Sequence, residues 1–171
     1  NIQGPMRRWP KPKGNAPSLS CSWRTGIKQM LLYLDVSALV KKYIAETGSP
    51  AVRELTREAA VMATSILSRV EVVAAFGKAV RVGTLDEENA TAAAQKFRSE
   101  WVAFVRIQAT ELLVANAEQL AWSSGLRGYD AVHLASALLW QESMQRTVTF
   151  ATFDRQQWQA ARSEEHTSEL Q

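Results

Sequence analysis

Between residues 30 and 161 short apolar runs alternate with longer stretches of helical periodicity. MLLYL at 30–34 is continuously apolar and stops at Asp35, the pattern of a strand buried on both faces. Helical patterns follow over about 37–46 and 50–60, and VMATS at 61–65 reads as a second strand. Ser65 is placed to cap a helix over 66–81 whose inward stripe would be Leu67, Val70, Val73 and Ala74, with Gly83 as its stop. LDEENATAAAQKFRSEW, 85–101, predicts a long amphipathic helix with an acid-rich first turn. VAFVRI at 102–107 predicts a third strand, and 110–124 another helix. In GYDAVHLASALL, 128–139, Ala131, Val132, Leu134, Ala135, Leu138 and Leu139 recur at helical spacing behind an acidic first turn, Asp130. TVTFAT at 147–152 is the last strand and 155–161 the last helix. Strands alternating with helices predict a three-layer α/β/α domain around a mostly parallel central sheet.

Composition narrows the setting. The 171 residues suffice for one domain with a sizeable core. The single cysteine, Cys21, forbids an internal disulfide and the usual structural zinc site, which favours a reducing, cytoplasmic location. No apolar run approaches the roughly 20 residues that cross a bilayer, so no membrane partner is expected. The net charge of +3 is unevenly spread. Residues 1–29 hold six basic side chains, no acid and four of the five prolines, so the remainder of the chain nets −3. This basic leader is expected to be non-native or disordered, with Met30 opening the domain at 30–161. The polar, non-periodic RSEEHTSELQ at 162–171 resembles the translation of a sequencing adapter and is expected to be an artefactual tail.

The chemistry lies in acids at element ends. Ligands of parallel sheets gather beyond the carboxyl ends of the strands, where Asp35 ends the first and Asp154 follows the last. Glu71 is set among apolar neighbours and needs a partner. Asp130 joins them if its helix starts at the same edge, though a first-turn acid is also favoured by the helix dipole alone. Converging carboxylates repel unless cations neutralise them, and hard Mg²⁺ or Mn²⁺ suits oxygen donors. Two such ions about 4 Å apart orient a water and stabilise the leaving oxygen of a phosphodiester. The acids are 36, 59 and 24 residues apart and form no local motif.

YLDVSALVKKY, SRVEVVAAF, LRGYDAVHLASAL and TFATFDR, in this order, resemble the four acidic motifs of the PIN-domain nucleases, especially the VapC-type toxins of bacterial toxin–antitoxin pairs. The resemblance spans residues 30–161. It implies that Asp35, Glu71, Asp130 and Asp154 are the catalytic, metal-binding quartet, and that Ser37 and Thr152 are the family's small hydroxyls beside it. It implies a Mg²⁺- or Mn²⁺-dependent endoribonuclease acting on single-stranded or looped RNA, inhibited by a cognate antitoxin protein and assembling as a homodimer. The helices over 37–60 are the expected antitoxin groove.

Other residues have plainer readings. His133 within an apolar helix is read first as a packed, hydrogen-bonded side chain. Trp101, Trp122, Trp140 and Trp158 are expected to be buried in the core or a dimer. Arg69, Arg127 and Arg155 near the acids either meet RNA phosphates or are solvated, and Lys41 and Lys42 are weaker candidates. A Mg²⁺-dependent phosphatase of the DxDxT type is disfavoured because Ser37 stands where that motif has its second Asp. A catalytically inactive PIN-like module that binds RNA or protein is the alternative from another class.

Overall fold

The computed structural model describes residues 30–168, with side chains through 164. The leader 1–29, with Cys21, and residues 169–171 of the tail lie outside them. Strands β1 (Met30–Leu34), β2 (Ala59–Ser65), β3 (Val105–Ile107) and β4 (Val148–Ala151) form one sheet in the order β3-β2-β1-β4. Every neighbouring pair is parallel, as expected of a strand–helix alternation. The chain builds outward from β1 to β2 and β3, then returns to add β4 on β1's other side.

Period-2 alternation divides β1 between two cores. Leu32 and Leu34 pack with helices α1 (Val36–Tyr43), α2 (Ser49–Glu58), α3 (Ser68–Arg81) and α4 (Glu87–Glu100) on one face. Leu31 and Tyr33 pack with α5 (Glu111–Ser124), α6 (Gly128–Met144) and α7 (Arg155–Ser168) on the other. All four side chains are essentially solvent-free, and each leucine contributes about 1.5–3 kcal/mol by burial. The central helix α6 buries Ala131, His133, Leu134, Ala135, Ser136, Ala137 and Trp140, which is why its sequence is apolar on more than one side. Among the described residues no helix is long and apolar enough to cross a membrane.

Several boundaries differ from expectation. α3 starts at Ser68, and Ser65 Oγ accepts the Leu67 N–H at 3.2 Å in a tight turn instead of capping the helix. Its buried stripe is Ser68, Val72 and Phe76, while Val70 is 65% exposed and Ala74 is also exposed. The stripe was hidden because it begins with a polar residue. Ser68 Oγ lies 2.7 Å from Thr64 Oγ1, which donates to the Leu34 carbonyl at 2.7 Å, so the start of α3 is tied to the end of β1. The third strand is only β3, because Trp101–Ala103 forms a 3-10 turn after α4. α7 continues through Ser168, past the expected end at 161. Trp101 and Trp140 are buried and Trp158 half-buried, while Trp122 is 92% exposed on α5 and so lies outside the core.

Candidate active site

Each of the four acids sits where a helix begins beside the carboxyl ends of the strands. Asp35 follows β1 and caps α1, its Oδ1 accepting the Ala38 N–H at 2.9 Å. Glu71 lies in the first turn of α3 and Asp130 in the first turn of α6. Asp154 follows β4, and its Oδ1 accepts the Gln157 N–H at the start of α7, 2.9 Å away. The unpaired N–H groups of four helices therefore lie beside the carboxylates and offset part of their repulsion. β1 and β4 are neighbours, and the Asp35 N–H donates to the Ala151 carbonyl at 3.1 Å, so the first and last acids share one end of the sheet.

Asp35 is the most enclosed of the four, 4% exposed. Ser37 Oγ reaches both its oxygens, at 2.8 and 3.1 Å, and accepts the Phe153 N–H at 2.7 Å. Thr152 Oγ1 lies 2.9 Å from Asp35 Oδ2 and accepts the Asp154 N–H at 3.0 Å. The two small hydroxyls marked in the sequence thus orient the first acid. Burial pushes the Asp35 carboxyl above the usual aspartate range, against the pull of His133 and these donors.

The remaining acids are linked by charge. Burial raises the Asp130 carboxyl, the nearby Asp154 charge raises it further and Glu71 adds to the push, partly offset by Arg127 and His133. His133, 3% exposed, brings Nε2 to 3.1 Å from Glu71 Oε2 and Nδ1 to 3.1 Å from the Tyr33 hydroxyl. The packed, hydrogen-bonded reading of His133 holds, and its partner is a site acid. Gln157, absent from the sequence reading, is fully buried between Thr152 and the Asp130 main chain. A glutamine in a polar helix start carries no local signal, so only packing reveals it.

The donors available to a metal are carboxylate oxygens, the chemistry of Mg²⁺ or Mn²⁺. Desolvation holds Asp35 protonated more readily than usual, desolvation and the like charges of Asp154 and Glu71 do the same to Asp130, and a divalent cation would relieve both effects. Among the described residues no three His, Cys, Asp or Glu side chains are already drawn together to hold an ion. Asp35, Glu71 and Asp154 are turned to the hydrogen-bond partners just named. The donor set fits a hard cation by its chemistry and electrostatics, and filling it requires side-chain rotation.

Basic candidates divide by partner. Lys41 pairs with Glu46 at 2.7 Å and covers the Phe153 ring, and Lys42 pairs with Glu100. Arg69, Arg127 and Arg155 are exposed, and Arg127 is close enough to lower the Asp130 carboxyl. None of the large exposed apolar side chains lies on α1 or α2, the expected antitoxin groove. They include Val70 on α3, Val105 on β3, and Leu112 and Val114 on α5.

No protein-family model matches the chain. Ribonuclease VapC45 of Mycobacterium tuberculosis (strain CDC 1551 / Oshkosh) is 38% identical to it over 108 residues, 63% of this chain and 75% of the relative. Ribonuclease VapC49 of Mycobacterium tuberculosis (strain ATCC 25618 / H37Rv) matches with the same identity and coverage. With the parallel sheet and the acids at its carboxyl edge, this similarity shows that the chain belongs to the VapC family of PIN-domain ribonucleases.

Proposed function

We propose that the chain is the toxin of a toxin–antitoxin pair, an endoribonuclease that hydrolyses RNA phosphodiester bonds with Mg²⁺ or Mn²⁺ held by Asp35, Glu71, Asp130 and Asp154. The observation that carries this reading is the four carboxylates at four helix starts beside one sheet edge, two of them held above the usual range by burial. When bound, such an ion supplies Lewis-acid polarisation of a phosphoryl oxygen and a nucleophilic water at neutral pH. Asp35 would be the fixed ligand, oriented by Ser37, Thr152 and Ala38. Arg127 beside Asp130, and the exposed Arg69 and Arg155, would take RNA phosphates on either side of the reacting one.

The antitoxin is assigned to an open groove of about 660 Å³ along α3, floored by Ile66, Leu67, Val70 and Val73. Arg69, Arg81 and Arg98 rim it, which suits an acidic amphipathic segment. The same basic rim repels a second copy of itself, so the homodimer is assigned to Val105, Leu112 and Val114 around the edge strand. A cytoplasmic location goes with this role.

Cleavage of a mixed structured RNA by the full chain, with Mg²⁺ or Mn²⁺ and with chelator, tests the reading. Ion-dependent cleavage is expected, falling at least about 10²-fold in Asp130→Asn, the scale of losing one preorganised charge-stabilising group. A folded wild type that cuts nothing with either ion overturns it in favour of a non-catalytic binding module.

A further inference from the structure

Gln157 is fully buried, yet it is a polar side chain in the first turn of α7. Its main-chain N–H donates to Asp154 Oδ1 at 2.9 Å. Its Oε1 lies 2.7 Å from Thr152 Oγ1, whose single proton it shares with Asp35 Oδ2 at 2.9 Å. Its Nε2 donates to the Asp130 carbonyl at 3.1 Å. One residue therefore touches the capping acid of α7, the first turn of α6 and the hydroxyl that orients the acid after β1.

Packing alone does not ask for an amide here. A methionine of similar length would fill the space and need no partners. The amide adds direction, because its carbonyl and NH₂ ends are bonded to different segments and a half-turn of the group would set its oxygen against the Asp130 carbonyl, acceptor against acceptor. We infer that Gln157 is a positioning residue that fixes the spacing of Asp35, Asp130 and Asp154 and so sets the affinity of the site for its cation. Nothing in its role requires contact with RNA or with the ion. The inference rests on the metal-dependent reading above and adds a determinant to it.

The test is Mn²⁺ binding to full-length Gln157→Met, followed by electron paramagnetic resonance of the free ion, beside thermal melting and RNA retention in chelator. The dissociation constant for Mn²⁺ is expected to rise about 10–100-fold, the usual cost of losing a partner of metal ligands. RNA retention in chelator should be unchanged, and in an Asp130→Asn background the substitution should add little to the loss. A lower melting temperature with unchanged Mn²⁺ affinity overturns the inference and leaves Gln157 a packing residue. Should Gln157→Met not fold, Gln157→Asn, which keeps the buried amide but shortens its reach to Thr152 and the Asp130 carbonyl, is read against the same two outcomes. Absence of Mn²⁺ binding by the wild type overturns the metal reading itself, whereas wild-type binding matched by the variant overturns only the role of Gln157.

Discussion

His133 Nε2 lies 3.1 Å from Glu71 Oε2, a contact that joins α6 and α3 across the end of the sheet that separates their cores. Behind it the Tyr33 hydroxyl, 3.1 Å from Nδ1, is fully buried on β1. The ring is thus held between the hydroxyl at Nδ1 and the carboxylate at Nε2. His133→Leu is expected to lower kcat/KM about 10–100-fold with RNA binding in chelator unchanged. Tyr33→Phe should cost about 1–3 kcal/mol in urea unfolding, since it strips a partner from a buried ring nitrogen. Wild-type kinetics in His133→Leu would show that Glu71 is held without it.

Stability should run against function at Asp130. Burial and Asp154 raise its folded pKa, and burial raises that of Asp35, so the folded state binds protons more tightly than the unfolded one. The favourable contribution is complete below the usual aspartate range and is lost as pH rises through the raised values. These two carboxyls should therefore favour mild acid over neutral pH in the metal-free protein, against the opposite contribution of Glu100, whose carboxyl, despite desolvation, is lowered by Lys42. Asp130→Asn should raise the melting temperature near neutrality and flatten this dependence while abolishing cleavage. A profile that climbs toward neutral pH and is unchanged in Asp130→Asn would contradict the assignment.

A cation should reverse that penalty. At a hundredfold excess over its dissociation constant, a ligand specific to the folded state adds about 2.7 kcal/mol. Mn²⁺ should raise the wild-type melting temperature accordingly and have little effect on Asp35→Asn. Equal shifts in both proteins would assign the ion elsewhere.

Gly48 turns the chain between α1 and α2 at φ +94°, and a Cβ there would overlap the Phe153 ring. Phe153 bonds Ser37 through its N–H and immediately precedes Asp154. Gly48→Ala is expected to cost more than the roughly 1–2 kcal/mol of the left-handed backbone alone, and to weaken Mn²⁺ binding by displacing Phe153. Unaltered stability by urea unfolding would show that the turn yields freely.

Arg127→Ala should raise KM for RNA more than it lowers kcat, and reduce by about one unit the slope of log affinity against log salt, as for one lost phosphate contact. An unchanged slope would make Arg127 a neighbour of Asp130 and nothing more.

The placement of the four acids beside one sheet edge was legible because each acid punctuates an element. Asp35 interrupts an apolar run, Asp154 follows the last one, and Asp130 and Glu71 head apolar helices. The face of α3 was not legible, since Val70, Val73 and Ala74 outweigh Ser68 in any apolar count while Ser68 is the buried one. Thr64 and the end of β1 decide that rotation, 30 residues away for the Thr64 bond to Leu34. The partners of the acids were hidden for the same reason: His133 meets Glu71 across 62 residues and Thr152 meets Asp35 across 117. Spacing along the chain holds no record of such contacts.

The place of β1 between β2 and β4 also governs when the acidic edge comes into being. β1 pairs with Val148–Ala151, more than a hundred residues downstream, and a contact of such separation must await nearly the whole domain. On a ribosome the segment bearing Asp35 emerges early, but Thr152, Asp154 and Gln157 arrive to complete it only at the end. On the proposed reading of the acids, a nascent chain would have no complete acidic edge with which to cut the RNA that encodes it until synthesis of the domain is all but finished.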